Sequence, residues 1–293
     1  MELAPIVLFV YNRPWHTKQC LEALSANELA KDSILYIYAD GSKKNAGKEE
    51  LDRINQVQQI IQLINSFKEV RIINREKNFG LVKSIIAGVT EVINEHDKVI
   101  VLEDDLVVSK GFLKFMNQAL HLYKEEKNVY SITGYMFDLN DESKKAVLLP
   151  YISTWSWGTW KDRWSTFDID TFENIVLSDS KLLSNRFNLG DYDYVKMLES
   201  TGTNSWGIKW YLHIFKRNGL SLFPTRSLVS NNGFDGTGVN CDASSSGKQK
   251  IANNIEVKLE SEIDLLFFKK YISYFHKDKT YNRLENFISF FKS

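Results

Sequence analysis

The sequence has little cysteine and no excess of charge of either sign. Cys20 and Cys241 are the two cysteines among 293 residues, and they lack the CxxC spacing that is typical of zinc sites and redox motifs. The 37 Lys and Arg residues balance 37 Asp and Glu residues. This balance argues against a general polyanion binder, and we expect no nucleic-acid partner.

Long apolar runs are also missing. No uninterrupted apolar stretch approaches the roughly 20 residues that a membrane-spanning helix needs. The N-terminal LAPIVLFVY is short, has no basic leader and is followed at once by Asn12-Arg13-Pro14, which is unlike a signal peptide. With 43% hydrophobic residues, the chain can bury a substantial core. We therefore expect a globular protein of the reducing cytoplasm.

The first half of the chain alternates short apolar runs with longer amphipathic ones, which is the pattern of βαβ units. This pattern predicts an α/β fold in which helices flank a mostly parallel sheet. The predicted strands cover residues 5–10, 34–39, 70–73, 98–102 and 129–133, and the predicted crossover helices cover residues 14–25, 48–66, 80–95 and 110–125.

Three polar clusters follow the predicted strands. Tyr11-Asn12-Arg13 comes after the first strand, Asp40-Gly41-Ser42 after the second and Glu103-Asp104-Asp105 after the fourth. Ligands of open α/β sheets gather at the carboxyl ends of the strands, so we expect the three clusters to share one site. Taken alone, Asp40-Gly41-Ser42 also has the composition of an ordinary turn.

The stretch KVIVLEDDLVV, residues 98–108, places three adjacent carboxylates at the end of a buried strand. Such carboxylates repel one another and are costly to desolvate, so the cluster predicts a cationic ligand. Mg²⁺ and Mn²⁺ prefer carboxylate oxygens and keep open positions for substrate phosphates. We interpret the cluster as half of a divalent metal site that a diphosphate completes; the alternative is a solvated acidic turn.

Other polar residues give weaker signals. Arg75 and Lys83 flank NFGL before a predicted helix, where cations and helix N-terminal amides could meet a phosphate. Solvated surface charge is the alternative. The histidines show no metal-ligand spacing and are interpreted as structural or surface residues: His16, His96, His121, His213 and His276.

Past residue 150 the composition changes. Six of the seven tryptophans lie between Trp155 and Trp210, and a glycine-rich stretch, SNNGFDGTGVNC, follows them. Its glycines predict a tight loop that can approach a ligand closely. Aromatic faces stack on sugar rings, which makes Trp157 and Trp206 candidates for the acceptor side, but a dense aromatic cluster also packs a core. The sequence leaves both roles open.

Several segments together resemble a known family. PIVLFVYNRP, YADGSK, VIVLEDDLVVSKGFLKFM and the pair WSWGTWKDRW and SWGIKWYLHIFKRNGLSLFPTRSLV resemble GT-A glycosyltransferases, which are Rossmann-like nucleotide-diphospho-sugar transferases. The likeness is greatest to bacterial sugar transferases related to the N-acetylglucosaminyltransferase I group. It spans residues 4–245, and only the EDD block in its context is highly specific.

The resemblance implies transfer of a hexosyl or N-acetylhexosaminyl group from a nucleotide diphosphate donor, most often a UDP-sugar, to a hydroxyl of a glycan or lipid-linked glycan. It implies Mn²⁺ or Mg²⁺ bound by Asp105, contacts of Asp104 with the ribose or the metal, and contacts of Glu103 with the donor sugar. The other residues expected around the donor are Tyr11, Asn12, Arg13, Asp40 and Lys83.

The sequence departs from the family pattern in NSWGIKW. Related inverting enzymes carry an acidic catalytic base in the corresponding segment, whereas this one contains no Asp or Glu. An inverting transferase needs a base near the acceptor hydroxyl, and the candidates are Asp235 in the glycine-rich loop and Asp162 in WKDRW. The alternatives are that Asp235 shapes its loop and that Asp162 pairs with Arg163 or a nearby lysine.

We expect residues 1–135 to form the nucleotide-sugar-binding half of one domain, residues 136–250 its acceptor-side half and residues 251–293 a helical C-terminal tail. The tail mixes basic and aromatic residues, so it can cover the core, mediate a homodimer or contact the inner face of the cell membrane. Two other functions stay open: a nucleotidyltransferase that makes nucleotide sugars, and a non-catalytic carbohydrate-binding protein.

Overall fold

The computed structural model describes residues 1–169, 177, 180–201, 205–236 and 250–276, with Thr201 in its backbone alone. The strands are β1 Ile6–Val10, β2 Ile34–Ala39, β3 Glu69–Asn74, β4 Lys98–Glu103, β5 Leu106–Val108, β6 Val129–Thr133, β7 Ala146–Leu149, β8 Trp157–Trp160, β9 Leu220–Pro224 and β10 Val229–Asn231. The α-helices are α1 Pro14–Ser25, α2 Lys48–Gln62, α3 Leu81–His96, α4 Phe112–Leu122, α5 Lys161–Trp164, α6 Lys181–Phe187, α7 Tyr194–Thr201, α8 Trp206–Phe215 and α9 Leu265–Tyr274.

Eight strands form one sheet in the order β3-β2-β1-β4-β8-β6-β9-β7. The first four are parallel, and β8 joins the sheet antiparallel to both β4 and β6. The predicted α/β class is confirmed, and the five predicted strands and four crossover helices are present with ends shifted by at most four residues. Because β8 lies between β4 and β6, the second half of the chain completes the sheet begun by the first.

Each half of the sheet is covered by helices that bury apolar faces. The helix α3 buries Ile85, Val89, Val92 and Ile93 at helical spacing against β1, β2 and β4, which is what its amphipathic pattern predicts. On the opposite side, α1 and α4 pack into a second cluster. A third cluster joins β7 and β9 to α6, α8 and α9.

The predicted helical tail needs a correction. Residues 250–264 contain no helix, and isolated bridges join Lys145 to Glu256 and Leu148 to Ile263 along the edge strand β7. An edge strand has unpaired backbone groups, and this extended segment satisfies some of them. Only α9 is helical within the described part of the tail, and it buries Phe267 and Tyr271. Residues 277–293 lie outside the described residues.

A two-stranded sheet, in which β10 pairs antiparallel with β5, connects the two halves at the carboxyl edge of β4. Its register sets Asn231 opposite Leu106, so the chain after Asn231 runs beside the chain before Leu106. This pairing brings the glycine-rich loop to Asp104 and Asp105, although about 125 residues separate them in sequence. In the part of the chain that the structure describes, no helix is long and apolar enough to cross a membrane.

Candidate active site

The three predicted strand-end clusters lie at one edge of the sheet. Val10 pairs with Ala39 and Phe9 pairs with Glu103 in parallel register, so β1, β2 and β4 end at the same level. The glycine-rich loop closes over this edge, because the Asn232 amide donates to the Asp105 carbonyl over 2.9 Å. A Cβ added to Gly233 would lie 2.3 Å from Asp105 Oδ2, so only glycine permits this close approach.

Arg13 lies among the carboxylates of this edge. It is the residue that precedes α1, whose first turn begins with Pro14. Its Nη1 is 2.9 Å from Asp105 Oδ2 and 3.5 Å from Asp104 Oδ1, and its Nη2 is 3.7 Å from Asp235 Oδ1. Since Asp235 comes from the glycine-rich loop, one guanidinium joins carboxylates from both halves of the chain.

The electrostatics of the EDD segment favour a cation. Burial, together with the neighbouring Asp105 and Asp104 charges, raises the pKa of Glu103 to about 8. Burial and the Asp105 charge raise the pKa of Asp104 to about 7, against the opposing effects of Arg13 and of a backbone hydrogen bond from Tyr11. Desolvation and like-charge repulsion both disfavour the ionised carboxylates, so a bound cation stabilises the charged forms.

His16 is a site residue that the sequence interpretation missed. It is buried, and its Nε2 lies 3.1 Å from Arg13 Nη2, 3.2 Å from the Asn232 carbonyl and 3.2 Å from Asp235 Oδ2. Two of these three partners are acceptors, which favours a ring with a proton on Nε2. Burial, followed by the Arg13 charge, lowers the pKa of His16 from its ordinary value. His16 thereby ties α1 to the glycine-rich loop. The sequence could have identified His16 as a neighbour of Arg13, because the two residues are three positions apart, about one helical turn.

Asp40, which was expected near the nucleotide, organises a loop at this edge of the sheet. Its carboxylate accepts hydrogen bonds from the Gly41, Phe79 and Gly80 amides and from Asn78 Nδ2, over 2.8 to 3.1 Å. A carboxylate has about four lone-pair positions, and these four donors use all of them. Asp40 therefore fixes the segment that leads into α3.

The remaining predicted donor residues surround this edge less closely. The Tyr11 hydroxyl donates to Glu50 Oε1 over 2.6 Å, and burial together with that carboxylate raises the pKa of Tyr11 to about 12. Asn12 is half-buried beside Arg13, and Lys83 is exposed in the first turn of α3. The structure thus brings Arg13, Asp104, Asp105 and Asp235 into direct contact and leaves Tyr11 and Lys83 outside that cluster.

Trp157 and Trp206 pack the core and do not line a surface. Their exposed fractions are 1% and 5%, and their ring centroids lie 5.2 Å apart in a cluster with Trp164 and Trp210. The packing role left open by the sequence therefore applies to both, and their expected contact with an acceptor is corrected. The helix α8, which contains most of NSWGIKW, buries Trp206, Ile208, Lys209 and Trp210 of this segment.

Two other aromatic residues lie at the site itself. Phe234 and Trp155 are half-buried, and their ring centroids lie 5.5 Å apart. The ring centroids of Trp155 and Tyr135 lie 4.5 Å apart. Phe234 lies between Gly233, which touches Asp105, and Asp235, which touches Arg13. Trp155 and Phe234 therefore form an aromatic wall beside the carboxylate cluster.

Asp162 lies far from the cluster. It is the second residue of α5, which follows the pairing of Trp160 with Lys98 at the amino end of β4, whereas Glu103 is at the carboxyl end. Its carboxylate binds Arg163 Nη1 at 2.7 Å and Lys127 Nζ at 3.0 Å. Asp162 is therefore an ion-pair partner, which was the alternative role. Its position at the opposite end of β4 corrects its candidacy as the catalytic base.

The side chains at the cluster fit a metal ion that is only partly enclosed by protein. In the described ranges, no group of three or more His, Cys, Asp or Glu side chains is placed to hold a metal ion. The oxygens of Asp104 and Asp105 are hard ligands that already bind the Arg13 cation. They fit a hard divalent cation held at one or two points, with the other positions left for ligand oxygens.

An open α/β sheet with an acidic cluster at its carboxyl edge has the architecture of the GT-A fold, and the sequence comparison gives the family. Residues 6–175, which are more than half of the chain, match the model of glycosyl transferase family 2. The chain belongs to this family. No curated protein matches the sequence significantly.

Solved structures give more distant likenesses. TarS residues 1–349 from S. aureus is 11% identical with a TM-score of 0.41, over 79% of this chain and 60% of that one. The galactosyltransferase LgtC, in complex with donor and acceptor sugar analogues, is 14% identical with a TM-score of 0.37, over 75% and 86%. GlyE of Streptococcus pneumoniae TIGR4 is 12% identical with a TM-score of 0.38, over 75% and 45%. Similarity at this level does not identify a substrate.

Proposed function

We propose that the protein is a metal-dependent, inverting glycosyltransferase that moves a hexosyl or N-acetylhexosaminyl group from a UDP-sugar to a hydroxyl of a glycan or glycolipid. The family supports the reaction class. The observation that supports the site is the contact of Arg13 with carboxylates from both halves of the chain, at the edge where β1, β2 and β4 end.

On the donor side, Asp105 holds Mn²⁺ or Mg²⁺, Asp104 contacts the ribose or the metal, and Glu103 contacts the donor sugar. A bound divalent cation would neutralise charge on the diphosphate as it leaves. Arg13 adds a fixed positive charge at the same edge, and guanidinium groups bind phosphate oxygens well. Asn12, in the same loop, contacts the nucleotide.

On the acceptor side, we assign the base to Asp235. Its carboxylate takes the proton of the acceptor hydroxyl while the acceptor oxygen bonds to the anomeric carbon. The bond from that carbon to the diphosphate breaks, and its electron pair leaves with the nucleotide. The half-buried Trp155 and Phe234 lie next to Asp235 and offer the apolar faces on which sugar rings stack.

Calorimetry with UDP, with and without Mn²⁺, tests this proposal. We expect UDP binding that depends on Mn²⁺, and we expect Asp105→Ala to abolish the dependence because the metal loses its protein ligand. Asp52→Ala, which changes an exposed carboxylate on α2, is the control and should bind as the wild type does. An unchanged Mn²⁺-dependent signal in Asp105→Ala would remove the central assignment.

A screen of nucleotide sugars for Mn²⁺-dependent hydrolysis or transfer then tests the reaction class and the donor together. Release of the nucleoside diphosphate supports glycosyl transfer. Release of pyrophosphate from a nucleoside triphosphate and a sugar phosphate would instead indicate a nucleotidyltransferase. Glycan binding without any turnover, and unaffected by removal of metal, would indicate a carbohydrate-binding protein.

A further inference from the structure

The guanidinium of Arg13 already serves as the cation of the carboxylate cluster. Its nitrogens lie 2.9 Å from Asp105, 3.5 Å from Asp104 and 3.7 Å from Asp235. The side chains of Arg13, Asp104 and Asp105 are between 11% and 18% exposed, so water screens these charges only weakly. Arg13 therefore offsets much of the repulsion between the largely desolvated carboxylates of Asp104 and Asp105.

A divalent ion on Asp105 would conflict with this arrangement. Mg²⁺ lies about 2.1 Å from its oxygen ligands, whereas Arg13 Nη1 is 2.9 Å from Asp105 Oδ2. Two cations bound to one oxygen at such distances repel strongly in a partly buried site. The metal can therefore bind this oxygen of Asp105 only if the guanidinium moves away from it.

The position of Arg13 gives the guanidinium a second binding partner, the diphosphate of the proposed donor. Arg13 immediately precedes α1, at the edge where the diphosphate of the proposed donor would lie. A guanidinium binds phosphate oxygens in the same bidentate manner as carboxylate oxygens. Carboxylate and phosphate oxygens therefore compete for the same N–H donors of Arg13. The neighbouring His16 Nε2, 3.1 Å from Arg13 Nη2, also contacts the Asn232 carbonyl.

We propose that Arg13 competes with the divalent cation for Asp105 and Asp104, and that the donor diphosphate takes up the displaced guanidinium. This inference deepens the proposed function and rests on it. The metal and the nucleotide then strengthen each other's binding through Arg13. The metal displaces Arg13 from the carboxylates and frees it for the diphosphate, and the diphosphate holds Arg13 away from the carboxylates that bind the metal. By linkage, the two binding free energies change by the same amount.

Titration of the full chain with MnCl₂ alone, followed by calorimetry, tests the competition. Arg13→Gln should bind Mn²⁺ more tightly than the wild type, by roughly 5- to 150-fold, the usual range of such couplings. Arg13→Lys keeps the charge but loses the two-pronged guanidinium, and its Mn²⁺ affinity should lie between those of the wild type and Arg13→Gln. Arg53→Gln removes an exposed arginine paired with Glu49 on α2 and should match the wild type. Equal or weaker Mn²⁺ binding by Arg13→Gln would overturn the competition.

The same titrations with saturating UDP test the exchange. UDP should raise the Mn²⁺ affinity of the wild type more than that of Arg13→Gln, whose remaining gain comes from direct metal contact with the phosphates. An equal gain in both proteins would overturn the exchange. If UDP binds to none of the proteins, the proposed function fails, and the Mn²⁺ titrations alone still decide whether Arg13 competes with the metal. Circular dichroism of each variant verifies that it is folded.

Discussion

Gly233 is the residue at which the backbone of the glycine-rich loop comes closest to the EDD segment. An added Cβ would lie 2.3 Å from Asp105 Oδ2 and 3.0 Å from Asn231 Oδ1. Both neighbours are side-chain ends, so the protein can fold around the extra methyl group, but Asp105 has to turn away. The composition of SNNGFDG predicts such a close approach, whereas the identity of the approached residue follows from the pairing of β10 with β5.

We therefore expect Gly233→Ala to weaken Mn²⁺-dependent UDP binding by roughly tenfold or more, since displaced metal ligands commonly cost about 10- to 100-fold in affinity. Calorimetry measures this loss. Gly47→Ala, where an added Cβ has no neighbour within 4 Å, should bind normally. A Gly233→Ala protein with wild-type affinity would show that Asp105 is not needed in its present orientation.

Asp235 and Asp162 differ in what surrounds them. Asp235 contacts Arg13 and His16, and its side chain is 40% exposed, whereas Asp162 binds Arg163 and Lys127 at the opposite end of β4. We expect Asp235→Asn to lower the transfer rate by about 10²- to 10⁴-fold, the usual contribution of a general base, with UDP affinity retained. Asp162→Asn should transfer normally. Steady-state rates with one donor and acceptor pair measure both, and the reverse order would exclude Asp235.

At the scale of elements, the sequence pattern predicted β1 to β4, β6 and α1 to α4, because these strands are short apolar runs and these helices bury one face against the sheet. Alternating runs indicated β1 to β4, and the helical spacing of Ile85, Val89 and Val92 indicated α3. The prediction of a helical tail was wrong for residues 251–264, which contain no aromatic residue; the mixed aromatic and basic residues that suggested a helix begin at Phe267. The free edge of β7 decides otherwise, because its backbone groups need partners that only an extended segment provides.

The aromatic region illustrates the same limit. Spacing within WSWGTWKDRW gave no means of telling Trp155, which faces the site, from Trp157, which is buried. The difference arises because β8 begins at Trp157 and is inserted between β4 and β6. Trp155 precedes the strand and lies near Phe234, which only the fold brings there.

At the scale of the whole molecule, His213 contributes a pH dependence to the stability, opposite in sign to that of the raised Glu103 and Asp104 pKa values. This residue on α8 is buried, stacks on Trp210 at 5.2 Å and contacts Thr166 Oγ1 at 3.1 Å. Burial, with a smaller effect of Arg217, lowers the pKa of His213 from 6.5 to about 4. The unfolded chain therefore takes up a proton between these pH values that the folded chain does not.

The sign follows from linkage: the contribution of His213 is fully present above pH 6.5 and is lost as the pH falls towards 4. Between pH 7.5 and pH 5 the loss amounts to roughly 2 kcal/mol. Urea unfolding of the wild type and of His213→Gln at both pH values measures it, and acidification should lower the stability of the wild type relative to that of the variant. An equal change of stability in the two proteins would show that His213 does not carry this dependence.

The sequence by itself determined the α/β class, the positions of the principal strands and helices, and the acidic strand end that marks the site. Those features depend on local periodicity and on the chemistry of adjacent residues. Only the tertiary structure decided that Arg13 contacts Asp104, Asp105 and Asp235, that His16 contacts Asp235, that Asp40 fixes a loop and that Asp162 is remote. These relations depend on strand order and on the β5–β10 pairing, which bring together segments that no sequence spacing connects.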